Sequence, residues 1–167
     1  MNPNGHHRPG NSSSQFPLPA PELHLLNVFV GSWHAEGNSY GDGQSEDDPF
    51  ASSEQWTSNE SYEWMSGNYF LLHRWNARVG DHQFKGLEIM GYDVAKKEFF
   101  TRFFDNNGNA IKYAVLMANN IWTLTEPHTR ARIIFHDNGN TMILNWEWKH
   151  EGGDWLPLCN RKAIKKE

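Results

Sequence analysis

The sequence predicts an all-β fold, an antiparallel meander of about ten strands with one short helix ahead of it. Turn-forming clusters recur at SGN (66–68), VGD (79–81), DNNGN (105–109), ANN (118–120), HDNGN (136–140) and HEGGD (150–154). The runs between them are short and rich in aromatic and β-branched residues. No long helical pattern interrupts the series after Trp33, which disfavours a doubly wound α/β sheet. A meander of this length must stack as two sheets or close on itself, and closure removes exposed edges while leaving an inside.

The elements follow in order. Residues 1–20, MNPNGHHRPGNSSSQFPLPA, hold too little apolar material to offset the entropy of ordering and are expected to form a mobile tail. His6 and His7 within it have no evident structural partner. One domain is expected over 21–167. Pro21 and Glu22 suit a helix start, and Leu23, Leu26 and Phe29 recur at near-helical spacing, so a helix of about two turns over 22–29 is expected across one end of the sheet. Strands are expected near 33–40, 53–65, 69–78, 84–92, 98–105, 109–117, 121–126, 129–136, 140–149 and 155–163. Trp33 is placed to close the barrel end beside the helix; Trp33, Leu87, Ile89, Phe103 and Trp146 are expected interior anchors.

Composition excludes several classes. The chain has 167 residues, 38% of them apolar, enough for one sizeable core. Eight Trp, ten Phe and five Tyr are spread without an apolar run long enough to cross a bilayer, so no membrane association is expected. Fifteen Lys plus Arg against twenty Asp plus Glu give a net charge of −5, which argues against a nucleic-acid partner. The single cysteine, Cys159, excludes an intrachain disulfide framework and reads as an inert packing or exposed thiol; with no signal-peptide pattern, a reducing cytoplasmic setting is expected. Homo-oligomerisation is left open.

The blocks FVGSWHAEG (29–37), SYEWMSGNYFLLHR (61–74), FKGLEIMGYD (84–93) and FFTRFFDNNGN (99–109) together resemble a bacterial family known as domain-of-unknown-function family 1579. The element formed by Gly31, Trp33 and Gly37 is also similar to the opening of calycin-type barrels, which include lipocalins, fatty-acid-binding proteins and haem-binding nitrobindins. The resemblance implies a calycin-like (lipocalin- or fatty-acid-binding-like) barrel with an internal ligand cavity and implies no reaction. The nitrobindin similarity raises haem as an alternative, with His150 or His136 as axial ligand. The Tyr-Pro segment common after the nitrobindin glycine motif is absent here, and no resident cofactor or metal is expected.

Strand alternation groups the candidate wall residues. Trp56, Tyr62 and Trp64 share one face; Tyr69, Leu71, His73, Trp75 and Ala77 share another; Met142, Leu144, Trp146 and Trp148 share a third. Such faces serve equally as ordinary core or as a ligand-lining wall. Glu88 alternates with Met90 and Tyr92, and Arg102 lies between Phe100 and Phe104, so either charge, if inward, needs a partner or a polar ligand group. Arg130 and Arg132 share a face with Ile134 and His136, and an inward arginine could hold a carboxylate in two-pronged geometry, the use fatty-acid-binding barrels make of it. His73 is the best general-base candidate, but no Gly-x-Ser-x-Gly, His-Glu-x-x-His or phosphate-binding glycine loop accompanies it. The reading favoured by the sequence is non-enzymatic binding of a small apolar or aromatic molecule, with Trp56, Tyr62, Trp64, His73, Glu88 and Arg102 on the wall. The alternatives are an enzyme using His73, a haem barrel and a solid-cored interaction module.

Overall fold

A computed structural model describes residues 17–41 and 43–167. Most of the expected tail over 1–20, with His6 and His7, lies outside the described residues. Ten strands follow in chain order: β1 (Gly31–Ser39), β2 (Glu54–Trp64), β3 (Leu71–Val79), β4 (His82–Asp93), β5 (Glu98–Asp105), β6 (Ala110–Ala118), β7 (Ile121–Thr125), β8 (Thr129–His136), β9 (Thr141–Trp148) and β10 (Leu156–Lys165). Each pairs antiparallel with its neighbours in sequence, and β1 pairs with β10 (Ala35 opposite Ala163) to close the barrel. The turn clusters do what their composition allows: Asn119 and Asn120 both take left-handed backbone, at φ 52° and 60°, and reverse the chain between β6 and β7 in two residues.

The segment ahead of β1 is a 3₁₀ helix, Pro21–Val28, where near-α periodicity was expected. Its hydrogen bonds reach back three residues, from Leu23 N–H to the Ala20 carbonyl and from Phe29 N–H to the Leu26 carbonyl. Leu23, Leu26 and Phe29 are spaced by three, the period of a 3₁₀ helix, so the tighter winding stacks all three on one face and buries each of them.

That face plugs one end of the barrel. Phe29 meets Tyr62, Trp122 and Phe135 with ring centroids 5.4, 5.2 and 4.9 Å apart, and Trp33, fully buried, donates from Nε1 to the Phe29 carbonyl at 2.7 Å. The end cap and the first strand are thus fastened at two adjacent aromatics. Leu71, Met90, Leu124, Ile133 and Met142 fill the rest of this half.

Two of the expected anchors face the other way. On β4 the inward set is Gly86, Glu88, Met90 and Tyr92, opposite Trp75, His73 and Leu71 of β3; Leu87 and Ile89 are paired with Arg74 and Leu72 and lie half-buried on the outer face. The period of two makes the assignment all-or-none, and the buried Glu88–His73 pair fixes it against the apolar pair. Among the described residues no helix is long and apolar enough to cross a membrane.

Candidate functional site

The half of the barrel away from the 3₁₀ plug is open. A cavity of about 470 Å³ runs in from the end where the 40–53 loop and the 80–81, 106–109, 126–128 and 149–155 connections meet. Gln44 holds that loop to the barrel: its amide donates to the Pro157 carbonyl at 2.6 Å and its oxygen accepts from Trp148 Nε1 at 2.9 Å. Glu54, His82, Asp105 and Asn109 stand around the mouth, while Trp56, Trp75, Phe103, Tyr113 and Trp146 form the aromatic wall.

Two glycines shape this space by lacking a Cβ. A Cβ on Gly86 would sit 1.8 Å from the Trp75 indole, which crosses β4 at that point and stacks on Phe103 at 4.9 Å. A Cβ on Gly37 would sit 1.9 Å from the Asn160 carbonyl oxygen, so β1 and β10 approach closely beside Arg161.

A charged cluster forms the inner wall. His73 Nε2 lies 3.1 Å from Glu60 Oε2, and His73 Nδ1 lies 3.0 Å from Glu88 Oε2. Arg161 donates to Glu60 Oε1 at 3.0 Å, and the same oxygen accepts from Ser58 Oγ at 2.7 Å. Trp56 Nε1 donates to Ser58 Oγ at 3.1 Å while its ring lies under the Arg161 guanidinium at 4.6 Å. Burial presses the Glu60 carboxyl upward, but the Arg161 charge and the hydrogen bonds from His73 and Ser58 outweigh it and hold it at about 2. Burial would likewise lower the His73 imidazole, yet its bonds to the two carboxylates raise it above 6.5. Both ring nitrogens are engaged, so His73 acts as the bridge of an ion network.

The sequence candidates separate accordingly. Trp56, His73 and Glu88 line the cavity. Tyr62 lies behind His73, in the packed half, and Trp64 reaches the plug, where its Nε1 donates to Asn27 Oδ1 at 2.9 Å. Arg102 is exposed on the outer face of β5 and does not reach the cavity. Thr101 and Phe103 take the inward positions, so alternation leaves Arg102 outside with Phe104, and the cost of burying it never arises. Arg130 is also outside, bonded to Glu147 and lying 4.2 Å over the Trp155 ring, and Arg132 is exposed. His136 is exposed on the outer face and His150 is exposed in its turn against Trp148, so neither faces the cavity.

The inward arginine is Arg161, which sits in the polar-looking run LCNRKAIKK and was not singled out by sequence reading. The available signal was the alternation Cys159, Arg161, Ala163, weakened by the irregular register between Pro157 and Cys159. Glu60 and Ser58 were equally legible as members of the Trp56, Tyr62, Trp64 face. Cys159 is buried on the cavity wall, and burial raises its thiol despite the neighbouring Arg161. Among the described residues no group of three His, Cys, Asp or Glu is arranged to hold a metal ion.

Solved structures share the architecture. Rv2717c from M. tuberculosis is 12% identical, with 89% of this chain and 99% of that one covered at a TM-score of 0.60. The S-type phycobiliprotein lyase CPES from Guillardia theta is 10% identical over 86% of this chain and 92% of that one, at 0.58. Zebrafish ileal bile acid-binding protein, complexed with cholic acid, is 12% identical over 83% and 99%, at 0.44. No curated protein matches the sequence. The fold is a calycin-like ten-stranded barrel with room for a small ligand. Residues 18–125, well over half of the chain, match the family described as "Protein of unknown function (DUF1579)", and the protein belongs to that family.

Proposed function

We propose that the protein binds a small, largely apolar or aromatic molecule in the open half of its barrel and does not transform it. The observation that carries this reading is the division of the interior: one half is packed with aromatic side chains, while the other keeps a cavity of about 470 Å³, within the size range of small-molecule sites. Its walls supply apolar area from Trp75, Phe103, Tyr113 and Trp146, while polar and charged residues gather at the mouth and around His73, Glu88 and Arg161. A binding role is favoured over proton transfer because the two nitrogens of His73 are already committed to Glu60 and Glu88.

Purification without denaturation, followed by organic extraction and mass spectrometry, tests the reading. A co-purifying apolar small molecule at near-stoichiometric amount is expected. A visible absorption band of bound haem, or turnover of an aromatic ester or amide abolished by His73→Ala in a folded protein, would replace it.

A further inference from the structure

We infer that the outer face of β3, β4 and β5 is the contact through which two copies of this chain pair about a two-fold axis. An antiparallel sheet that covers its core with one face normally turns polar residues outward on the other. Here Leu72, Leu87, Ile89, Phe100 and Phe104 all take outward positions, and Phe70 stands at the head of β3. Gly91 lets two of these rings close over the strand: a Cβ there would lie 2.9 Å from Phe70 and 2.8 Å from Phe100. Met65, whose N–H donates to the Phe70 carbonyl at 2.9 Å, extends the patch. Met65, Phe70 and Phe104 are 43%, 40% and 44% exposed. Scattered singly, such side chains need no explanation; contiguous, they mark an interaction surface.

The charges on this face say what covers it. One outward row crosses five strands through directly opposed residues: Glu63 of β2, Leu72 of β3, Ile89 of β4, Arg102 of β5 and Lys112 of β6. The row is acidic at one end, basic at the other and apolar between. Glu63 holds Arg74 of β3, whereas Arg102 and Lys112 make no ion pair among the described residues. A two-fold axis lying in the contact, parallel to the strands and between β3 and β4, maps this row onto itself in reverse. Leu72 then meets Ile89 of the second copy, and Glu63 meets Arg102 of the second copy, each contact made twice by symmetry. The Phe70 and Phe100 rings of the two copies meet on the next row. The face is thus its own complement in charge as well as in apolar area, which favours a second copy over an unlike partner. The cavity opens at the end of the barrel and the contact lies on its side, so pairing leaves both mouths free.

Sedimentation velocity of the full-length protein between about 1 and 100 μM tests this, since contacts of modest size associate in that range. A reversible monomer–dimer equilibrium is expected. Ile89→Arg and, separately, Leu72→Arg should each weaken it at least about tenfold, because each sets a charge against the apolar centre of the second copy. Glu63→Arg and Arg102→Glu should each weaken it as well, by bringing like charges together. Mixing those two variants should restore association to at least about tenfold above either alone, since the mixed pair has both charge contacts complementary. Near-UV circular dichroism reports folding, and the charge reversals, at exposed positions, keep the test available if a central variant does not fold. A protein that stays monomeric throughout the range, a dimer unweakened in a folded Ile89→Arg or Leu72→Arg, or no gain on mixing Glu63→Arg with Arg102→Glu would overturn the inference and leave the ligand-binding reading untouched.

Discussion

The phenol ring of Tyr62 lies flat on the imidazole of His73, with centroids 3.8 Å and planes 7° apart, and this stack is the boundary between the two halves of the barrel. Tyr62 touches Phe29 of the plug on its far side, and His73 faces the cavity. The same imidazole ties β2 to β4 through Glu60 and Glu88. His73→Ala would leave two carboxylates buried with less compensation, a loss of about 3–5 kcal/mol. Urea unfolding should show it, and Glu88→Gln in the His73→Ala background should recover part of the loss; a His73→Ala midpoint equal to the parent's would mean that the network contributes nothing.

Stability should be greatest between about pH 4.5 and 6.5 for contributions from this cluster. Glu60 is lowered in the folded state from 4.5 to about 2, so its contribution is complete above 4.5 and is lost as pH falls through about 2. His73 is raised above 6.5, so its contribution is complete below 6.5 and is lost as pH rises through the folded value. Chemical denaturation across this range should give a maximum in the window; in His73→Ala the decline on the alkaline side should flatten.

Trp33→Ala should cost about 3–5 kcal/mol, since it removes a fully buried indole and the bond that fastens β1 to Phe29. Trp33→Phe should cost less, because it keeps most of the ring volume. If ligand affinity fell in Trp33→Phe with no change in denaturation midpoint, the indole would belong to the binding site rather than to the plug.

Gly86→Ala should perturb the site from a position that bears no side chain. The new methyl would occupy the place of the Trp75 indole, so the ring must swing out of its stack on Phe103. A destabilisation of about 1–3 kcal/mol is expected, with a shift in tryptophan emission and weaker ligand binding. Unchanged emission would show that Trp75 accommodates the methyl in place.

Arg102, a wall candidate from the sequence, and Arg161, which the structure places on the inner wall, should respond differently. Arg102→Ala removes an exposed outer side chain and should change stability by no more than about 0.5 kcal/mol, with ligand binding unaltered. Arg161→Ala strips Glu60 of its guanidinium and should cost about 3–5 kcal/mol. Thermal melts of the two variants side by side are sufficient to compare them.

The number and order of strands were set by local chemistry and could be read directly. Asn, Gly and Asp clusters reverse the chain wherever they occur, and the Leu23, Leu26, Phe29 series with Trp33 marks the plugged end because nothing else buries those four side chains together. Alternation likewise grouped His73 with Trp75 and Trp56 with Tyr62. Which group faces inward was decided only by closure of the barrel, since a period of two is symmetric between faces until a partner strand breaks the tie. On β4 the tie broke toward Glu88 and away from Leu87 and Ile89, against hydrophobicity, because Glu88 found His73 on the adjacent strand. On β5 it broke toward Thr101 and Phe103, leaving Arg102 in solvent. The pairing of Glu60 with Arg161 joins residues 101 positions apart in the chain, and only the closing contact of β1, between β2 and β10, brings them within a hydrogen bond.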